Sequence, residues 1–189
     1  MRAFLTIGLA AVFAAGVAAQ QAPAPPATPG VVLNVGDTAP DFTLQGTDGK
    51  THKLSEYKGK QAVVIAWFPK AFTQGCTIEC KSLAANGEKI KKYEVAYFMA
   101  SVDPLEGEQG NLAFAKSENA DFPLLSDPTK ATATAYGVLN ARGSANRWTF
   151  YIGKDGKIQA IDKDVAQRLA TSAEDMAAKL GELKTAPKK

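Results

Sequence analysis

The sequence predicts an α/β fold in which a central mixed β-sheet is flanked by helices, and three features indicate it. Two apolar runs, residues 62–68 and 95–102, are typical of strands buried on both faces, which require helices on both sides of the sheet. Segments rich in helix-forming residues alternate with these runs. A β-hairpin is predicted near each end of the folded part, so the sheet should combine parallel and antiparallel strands.

The two hairpins have clear local signals. Residues 41–44 alternate polar and apolar side chains, a turn centred on Gly49 follows, and residues 51–54 return, which predicts an N-terminal β-hairpin. Residues 149–152 and 158–161 flank a second turn that contains Asp-Gly, and they predict the other hairpin.

Helices are predicted from composition and from start and stop signals. The last of them should be capped by Ser172 and Asp175, which form an Asp-type capping box. A short strand is expected at residues 122–125. The predicted helices cover residues 78–90, residues 111–118, a segment from a cap at 127–129 to about Gly137, and residues 173–183. This order of strands and helices is typical of the thioredoxin-like fold.

The N-terminus has the pattern of a secretory signal peptide. An arginine near the start precedes an apolar stretch at residues 4–17 and small residues up to Ala19, so we expect residues 1–19 to be cleaved. Residues 20–30 are an Ala/Pro-rich linker, and residues 31–189 form the folded domain. We expect a periplasmic or secreted protein with no stable membrane insertion after cleavage; an uncleaved anchor is the alternative.

Length and charge are those of one ordinary globular domain. The chain has 189 residues, 46% of them hydrophobic, and a net charge of +3 without a basic stripe that carries interleaved aromatics. A nucleic-acid partner is therefore not expected. The single histidine, His52, has polar neighbours and should lie at the surface, which leaves no partner for a Cys-His dyad or a histidine-rich metal cage.

The candidate nucleophile is Cys76, which lies where the first buried strand passes into a helix. A thiol in a first helical turn faces free backbone N–H groups and the positive end of the helix dipole, so its thiolate is favoured. Thr73 can cap this helix or place its hydroxyl beside the sulfur, and Pro69 ends the strand and shapes the loop.

These three residues have the spacing Pro-x-x-x-Thr-x-x-Cys, and this segment resembles the active-site motif of the peroxiredoxins, the AhpC/TSA family. Residues 36–44 resemble the opening of that family. Residues 146–152 resemble its late strand, which carries an active-site arginine, here Arg147. The resemblance runs from about residue 34 to the C-terminus and implies a thioredoxin-like fold.

The resemblance also implies a mechanism that needs no cofactor. Cys76 would reduce hydrogen peroxide or an organic hydroperoxide and become a sulfenic acid, with Thr73 and Arg147 against the peroxide oxygens. Glu79, three residues after the cysteine, is the candidate that orients the arginine, although it could also be a plain helix-surface acid. The implied enzyme is a thioredoxin-dependent peroxiredoxin, monomeric or homodimeric.

Cys80 is the less settled of the two cysteines. Two nearby cysteines on one helix most resemble the Q-type, bacterioferritin-comigratory subgroup, but that subgroup has its second cysteine five residues on, and Cys80 follows Cys76 by four. We expect Cys80 to form an intramolecular disulfide with Cys76 during turnover, which a thioredoxin-like dithiol would reduce.

Two other functions are compatible with paired cysteines. Cys-x-x-x-Cys after Phe72-Thr73 also resembles the Sco-type copper chaperones, but those have a further histidine ligand downstream, and no histidine follows His52. A general thiol-disulfide oxidoreductase would have Cys-x-x-Cys, which is one residue shorter.

Overall fold

The computed structural model describes residues 30–188, which form a seven-stranded mixed sheet with the strand order β2-β1-β5-β4-β3-β6-β7. The predicted signal peptide and residues 20–29 of the linker lie outside the described residues. The strands are β1 (Thr43–Gly46), β2 (Thr51–Lys53), β3 (Ala62–Trp67), β4 (Val95–Ser101), β5 (Leu124–Ser126), β6 (Thr149–Ile152) and β7 (Ile158–Asp162). The mixed sheet and the N-terminal hairpin of β1 and β2 are confirmed.

Four α-helices join these strands in the described part of the chain. Short 3-10 turns lie at Leu54–Glu56, Gly87–Lys89, Val165–Gln167 and Leu169–Thr171. The described range contains no helix that is long and apolar enough to cross a membrane. The α-helices are α1 (Gln74–Asn86), α2 (Asn111–Ser117), α3 (Ala131–Ala135) and α4 (Ser172–Glu182).

Strand β3 is central to the domain because all six of its residues are buried. It pairs in parallel with β4 and antiparallel with β6. Side chains alternate between the faces of a strand, so Val64 and Ala66 contact one hydrophobic cluster and Ile65 and Trp67 contact the other. The first cluster includes residues of α1, α2 and α4, and the second includes Ala133 of α3. Helices on both faces therefore bury the apolar strand, as the sequence predicted.

Three predicted helix boundaries are wrong. The first helix begins at Gln74 instead of residue 78, because Thr73 is extended and its carbonyl accepts the first helical bond, from Thr77. The predicted cap of the third helix is present, since Asp127 Oδ2 accepts the Ala133 amide at 2.8 Å, but the helix begins only at Ala131 because Lys130 is left-handed with φ 63°. The capping box of the last helix does not form: Ser172 is already helical, and its hydroxyl donates to the carbonyl of Leu169.

The prediction that His52 lies at the surface is also wrong. His52 is buried on the inward face of β2, and one ring nitrogen lies 2.7 Å from the Tyr57 hydroxyl. The other ring nitrogen lies 3.0 Å from Asp48 Oδ1, and the ring contacts that of Phe98 with 4.9 Å between centroids. The pleat turns a polar ring inward here, and two hydrogen bonds compensate for its burial.

Candidate active site

The site lies at the connection between β3 and α1. The chain leaves the sheet at Trp67, passes half-buried Pro69, and reaches Phe72, whose φ of 61° is left-handed. Thr73 is the N-cap residue, and Cys76 is the third residue of the helix. Backbone N–H groups in this first turn have no partner within the helix, so they present positive partial charge near the sulfur.

Arg147 lies beside this cysteine because of the sheet register. Strand β6 pairs with β3 so that Thr149 is opposite Ala66, and the Trp67 amide bonds to the carbonyl of Trp148 at 2.9 Å. The residue before Trp148 therefore reaches the start of α1, and Arg147 Nη2 donates to Cys76 Sγ at 3.0 Å. A cation this close stabilises a thiolate over a thiol.

Glu79 holds the other side of the same guanidinium. It lies one helical turn after Cys76, its side chain is only 1% exposed, and it forms an ion pair with Arg147 Nη1. Burial raises the pKa of Glu79 to about 7, although the Arg147 charge partly opposes this. Burial alone would lower the pKa of Arg147, but the charges of Glu79 and Cys76 raise it above its ordinary value. The guanidinium is thus held between a carboxylate and a sulfur.

Gly75 makes room for this arrangement. A Cβ atom at position 75 would lie 3.2 Å from Arg147 Nη2 and 3.3 Å from a methyl carbon of Leu169. Contacts this short are tighter than normal packing, so a larger residue would displace the guanidinium from the sulfur. This role of Gly75 was not predicted from the sequence, where its only local signal is its position directly before the cysteine.

Thr73 and Pro69 are both in the loop that precedes Cys76. The predicted side-chain cap is absent: the hydroxyl of Thr73 donates to the carbonyl of Lys70 at 2.9 Å, and the helix start has no side-chain cap bond. Thr73 is exposed, so its hydroxyl lies at the open side of the site. The loop therefore carries an exposed hydroxyl three residues before a buried sulfur.

Cys80 lies one turn further along α1 and is fully buried, and both cysteines are free. Burial raises the pKa of the Cys80 thiol to about 12, and the negative charges of Glu118 and Glu79 add to this. Helix α1 is continuous from Gln74 to Asn86, so the two cysteines sit on regular helix.

Asp103 is a further residue of the site that the sequence pattern did not predict. Asp103 follows strand β4, and its Oδ2 accepts a hydrogen bond from the Ala71 amide in the loop before α1, at 2.8 Å. A signal was available in the topology: β3 and β4 are parallel, so residues that follow their carboxyl ends meet at one edge of the sheet.

A buried cysteine between a helix N-terminus and an arginine, on a thioredoxin-like sheet, defines a thiol-based redox enzyme. Residues 35–161 match the family model described as AhpC/TSA family. Alkyl hydroperoxide reductase E of Mycobacterium tuberculosis is 37% identical over 131 residues, which is 68% of this chain and 84% of that protein. Peroxiredoxin Bcp of Escherichia coli is 33% identical over 139 residues, 70% of this chain and 86% of the relative.

Solved structures agree with these relatives. The crystal structure of peroxidoxin BcpB from Mycobacterium tuberculosis has a TM-score of 0.70 and 27% identity, covering 80% of this chain and 98% of that one. Bacterioferritin comigratory protein of Xanthomonas campestris, at 23% identity and a TM-score of 0.67, covers 80% of this chain and 97% of that one and shares the fold. The chain belongs to the AhpC/TSA peroxiredoxin family and is a thiol-dependent peroxidase. Neither the copper chaperone nor the general oxidoreductase is favoured.

Proposed function

We propose that Cys76 is the peroxidatic cysteine and that the observation carrying this role is the 3.0 Å contact from Arg147 Nη2 to its sulfur. The thiolate attacks one peroxide oxygen, an S–O bond forms as the O–O bond breaks, and the other oxygen leaves with a proton as water or an alcohol. Arg147 stabilises the thiolate first and the departing oxygen afterwards. Thr73 supplies a hydroxyl to the bound peroxide.

The second half of the cycle uses Cys80. Its thiol attacks the sulfenic acid of Cys76, so a disulfide forms and water leaves. Side chains four apart on a helix have Cβ atoms about 5–6 Å apart, whereas a disulfide needs about 3.8 Å. The first turns of α1 must therefore loosen before the bond forms. A thioredoxin-like dithiol then reduces the disulfide by exchange.

Both hydrogen peroxide and organic hydroperoxides are proposed substrates. The loop before Cys76 exposes Thr73 and Phe72, the latter by 39%, so a polar peroxide group would meet a hydroxyl while an alkyl group contacts an apolar side chain. The relative named alkyl hydroperoxide reductase supports the organic class.

Export is proposed from the N-terminal pattern alone. Residues 1–19 would be removed as a signal peptide, and residues 20–30 would remain as a linker before the folded domain. The domain, residues 31–189, would reduce peroxides in the periplasm or outside the cell. The intact mass of the protein recovered from a periplasmic fraction should match a chain that begins at Gln20. A protein of full-length mass found in the cytosol would contradict this proposal.

The test of function is peroxide consumption by the mature protein with thioredoxin and its reductase. Wild type should turn over both peroxides. The turnover rate of Cys76→Ser should fall to the background rate, a loss on the order of 10³-fold or more, since a serine hydroxyl is not ionised. Unchanged circular dichroism would show that the fold is intact. A retained rate in Cys76→Ser would contradict the assignment of Cys76.

A further inference from the structure

The loop between β3 and α1 adopts a conformation that its own residues disfavour. Phe72 has φ 61°, which is uncommon for a residue with a bulky side chain. Such a conformation persists only where the surroundings impose it. Thr73 follows directly, so the restraint on Phe72 also sets where the Thr73 hydroxyl lies.

Asp103 supplies one such restraint. Its Oδ2 accepts the Ala71 amide at 2.8 Å and the Ser101 hydroxyl at 2.9 Å. The Asp103 amide in turn donates to Ser101 Oγ at 3.1 Å, so the carboxylate is fixed from its own backbone. A charged acceptor strengthens its bond to the loop amide.

The residues behind Asp103 are buried and mutually bonded. Asn111, at the start of α2 and fully buried, donates from Nδ2 to Ser101 Oγ at 3.1 Å and to Ser126 Oγ at 2.9 Å. The same amide donates to the carbonyl of Leu125 at 3.2 Å. Strands β4 and β5 and helix α2 are thus joined at one point, and a satisfied buried network of this kind is rigid.

Helix α2 also holds the loop from its other side. The ring of Phe72 packs against Phe114 of α2 with 5.2 Å between centroids in an edge-on arrangement. The guanidinium beside Cys76 comes from the segment before β6 and is held by the carboxylate of α1. The loop before Cys76 is held instead by Asp103, which follows β4, and by α2. The two halves of the site are therefore supported by different parts of the fold.

We propose that Asp103 is a positioning residue for peroxide reduction: it fixes the loop at residues 69–73 so that the Thr73 hydroxyl meets the peroxide while Cys76 attacks it. This rests on the proposed function. Because Asp103 acts through the loop and not through Arg147, its loss should impair reaction with peroxide but not the reactivity of the sulfur itself.

Two reactions of the reduced protein separate these effects. Stopped-flow oxidation by hydrogen peroxide requires Thr73, whereas alkylation of Cys76 by iodoacetamide reports only the thiolate and its access. Asp103→Ala should slow oxidation about tenfold, since a misplaced group near the reacting atoms is costly, and should change alkylation by less than about twofold. Asp103→Asn should retain oxidation within about threefold, because its side-chain oxygen still accepts both hydrogen bonds.

A double-mutant cycle identifies the residue through which Asp103 acts. In a Thr73→Val background, Asp103→Ala should slow oxidation by less than about twofold, because the hydroxyl it positions is gone. If Asp103→Ala is unstable, Ser101→Ala removes one donor to the same carboxylate and should give a smaller loss with the same selectivity.

Three results would overturn the inference: unchanged oxidation in Asp103→Ala, equal losses in oxidation and alkylation, or an undiminished effect in the Thr73→Val background. None of these affects the proposed peroxidase activity, which fails only if wild type does not react with peroxide.

Discussion

The two cysteines differ in the charges around them, although both are fully buried and lie one turn apart on α1. The sulfur of Cys76 accepts a hydrogen bond from the guanidinium of Arg147 at 3.0 Å and lies in the first helical turn. Cys80 lies deeper in the helix, and burial together with the carboxylates of Glu118 and Glu79 raises the pKa of its thiol to about 12.

Burial is the largest cause of the raised pKa of Cys80, but Cys76 is equally buried, so the two thiols are distinguished by the charges beside them. A cation beside a sulfur favours the thiolate and an anion favours the thiol. In the proposed cycle the first cysteine attacks the peroxide, while burial and the nearby carboxylates keep the second as a thiol. We propose that Cys80 becomes a nucleophile only after α1 loosens and the thiol leaves these surroundings.

After the loss of Cys76 itself, the largest effect is expected when Cys80 is removed from this pair. Cys80→Ser should react once with peroxide at the wild-type rate, but sustained turnover with thioredoxin should fall about 100-fold, since a neighbouring thiol has a far higher effective concentration than a dissolved reductant. Intact mass after one equivalent of peroxide should show added oxygen in the variant and the loss of two hydrogens in wild type.

The opposite mass pattern would contradict the pairing of Cys76 with Cys80. If wild type itself shows added oxygen with Cys80 still alkylatable, the protein is a one-cysteine peroxidase. A covalent dimer would instead indicate resolution between subunits.

Removal of the cation should produce the next largest effect. Arg147→Met should slow the first oxidation by about tenfold or more, because a charge-assisted contact in a desolvated site is worth about 1.5–3 kcal/mol. Arg142→Met is the matched control, since Arg142 is exposed in the loop before β6. Equal stopped-flow rates for the Arg147 variant and this control would contradict the role of Arg147.

Protonation of Glu79 should make the stability of the protein depend on pH. The folded state holds its proton up to pH about 7, whereas an unperturbed carboxyl releases it near 4.5. Unfolding therefore releases a proton in this window, and the free energy of unfolding should fall as the pH rises from about 4.5 to about 7. The decrease attributable to Glu79 should be about 1–3 kcal/mol.

Urea denaturation of the reduced protein at pH 5, 6, 7 and 8 measures this effect. The difference between wild type and Glu79→Gln cancels the contributions of other groups and should change over that range. A difference that is independent of pH would show that Glu79 stays ionised beside Arg147 at every pH tested.

The local parts of the site were predictable from sequence, and the long-range parts were not. The turn from β3 into α1 placed Cys76 in a first helical turn because strand, proline and helix formers are adjacent in the chain. The contact with Arg147 joins residues 71 positions apart and depends on the register of β6, so it followed only from a family resemblance.

Other long-range neighbours had no such resemblance to indicate them. Asp103 bonds to a loop 32 residues earlier, and Glu118 reaches Cys80 from α2, so both needed the packing of the elements. His52 was misplaced for a related reason: polar neighbours suggested exposure, but the pleat of β2 turns its ring inward. Residue character alone does not determine which face of a strand is buried.

The smallest expected effect concerns Glu118, which sets the anionic side of the comparison. Its side chain is only 9% exposed, its Oε2 has no hydrogen-bond partner, and Lys81 Nζ lies 3.7 Å away. In a Cys76→Ser background at pH 9, Glu118→Gln should increase the rate of Cys80 alkylation about three- to tenfold, because loss of the anion lowers the pKa of the thiol and raises its thiolate fraction.

Glu88→Gln, which changes an exposed acid just after α1, is the control for altered opening of the helix. If both variants are alkylated at the same rate, burial alone protects Cys80 and the charge of Glu118 does not.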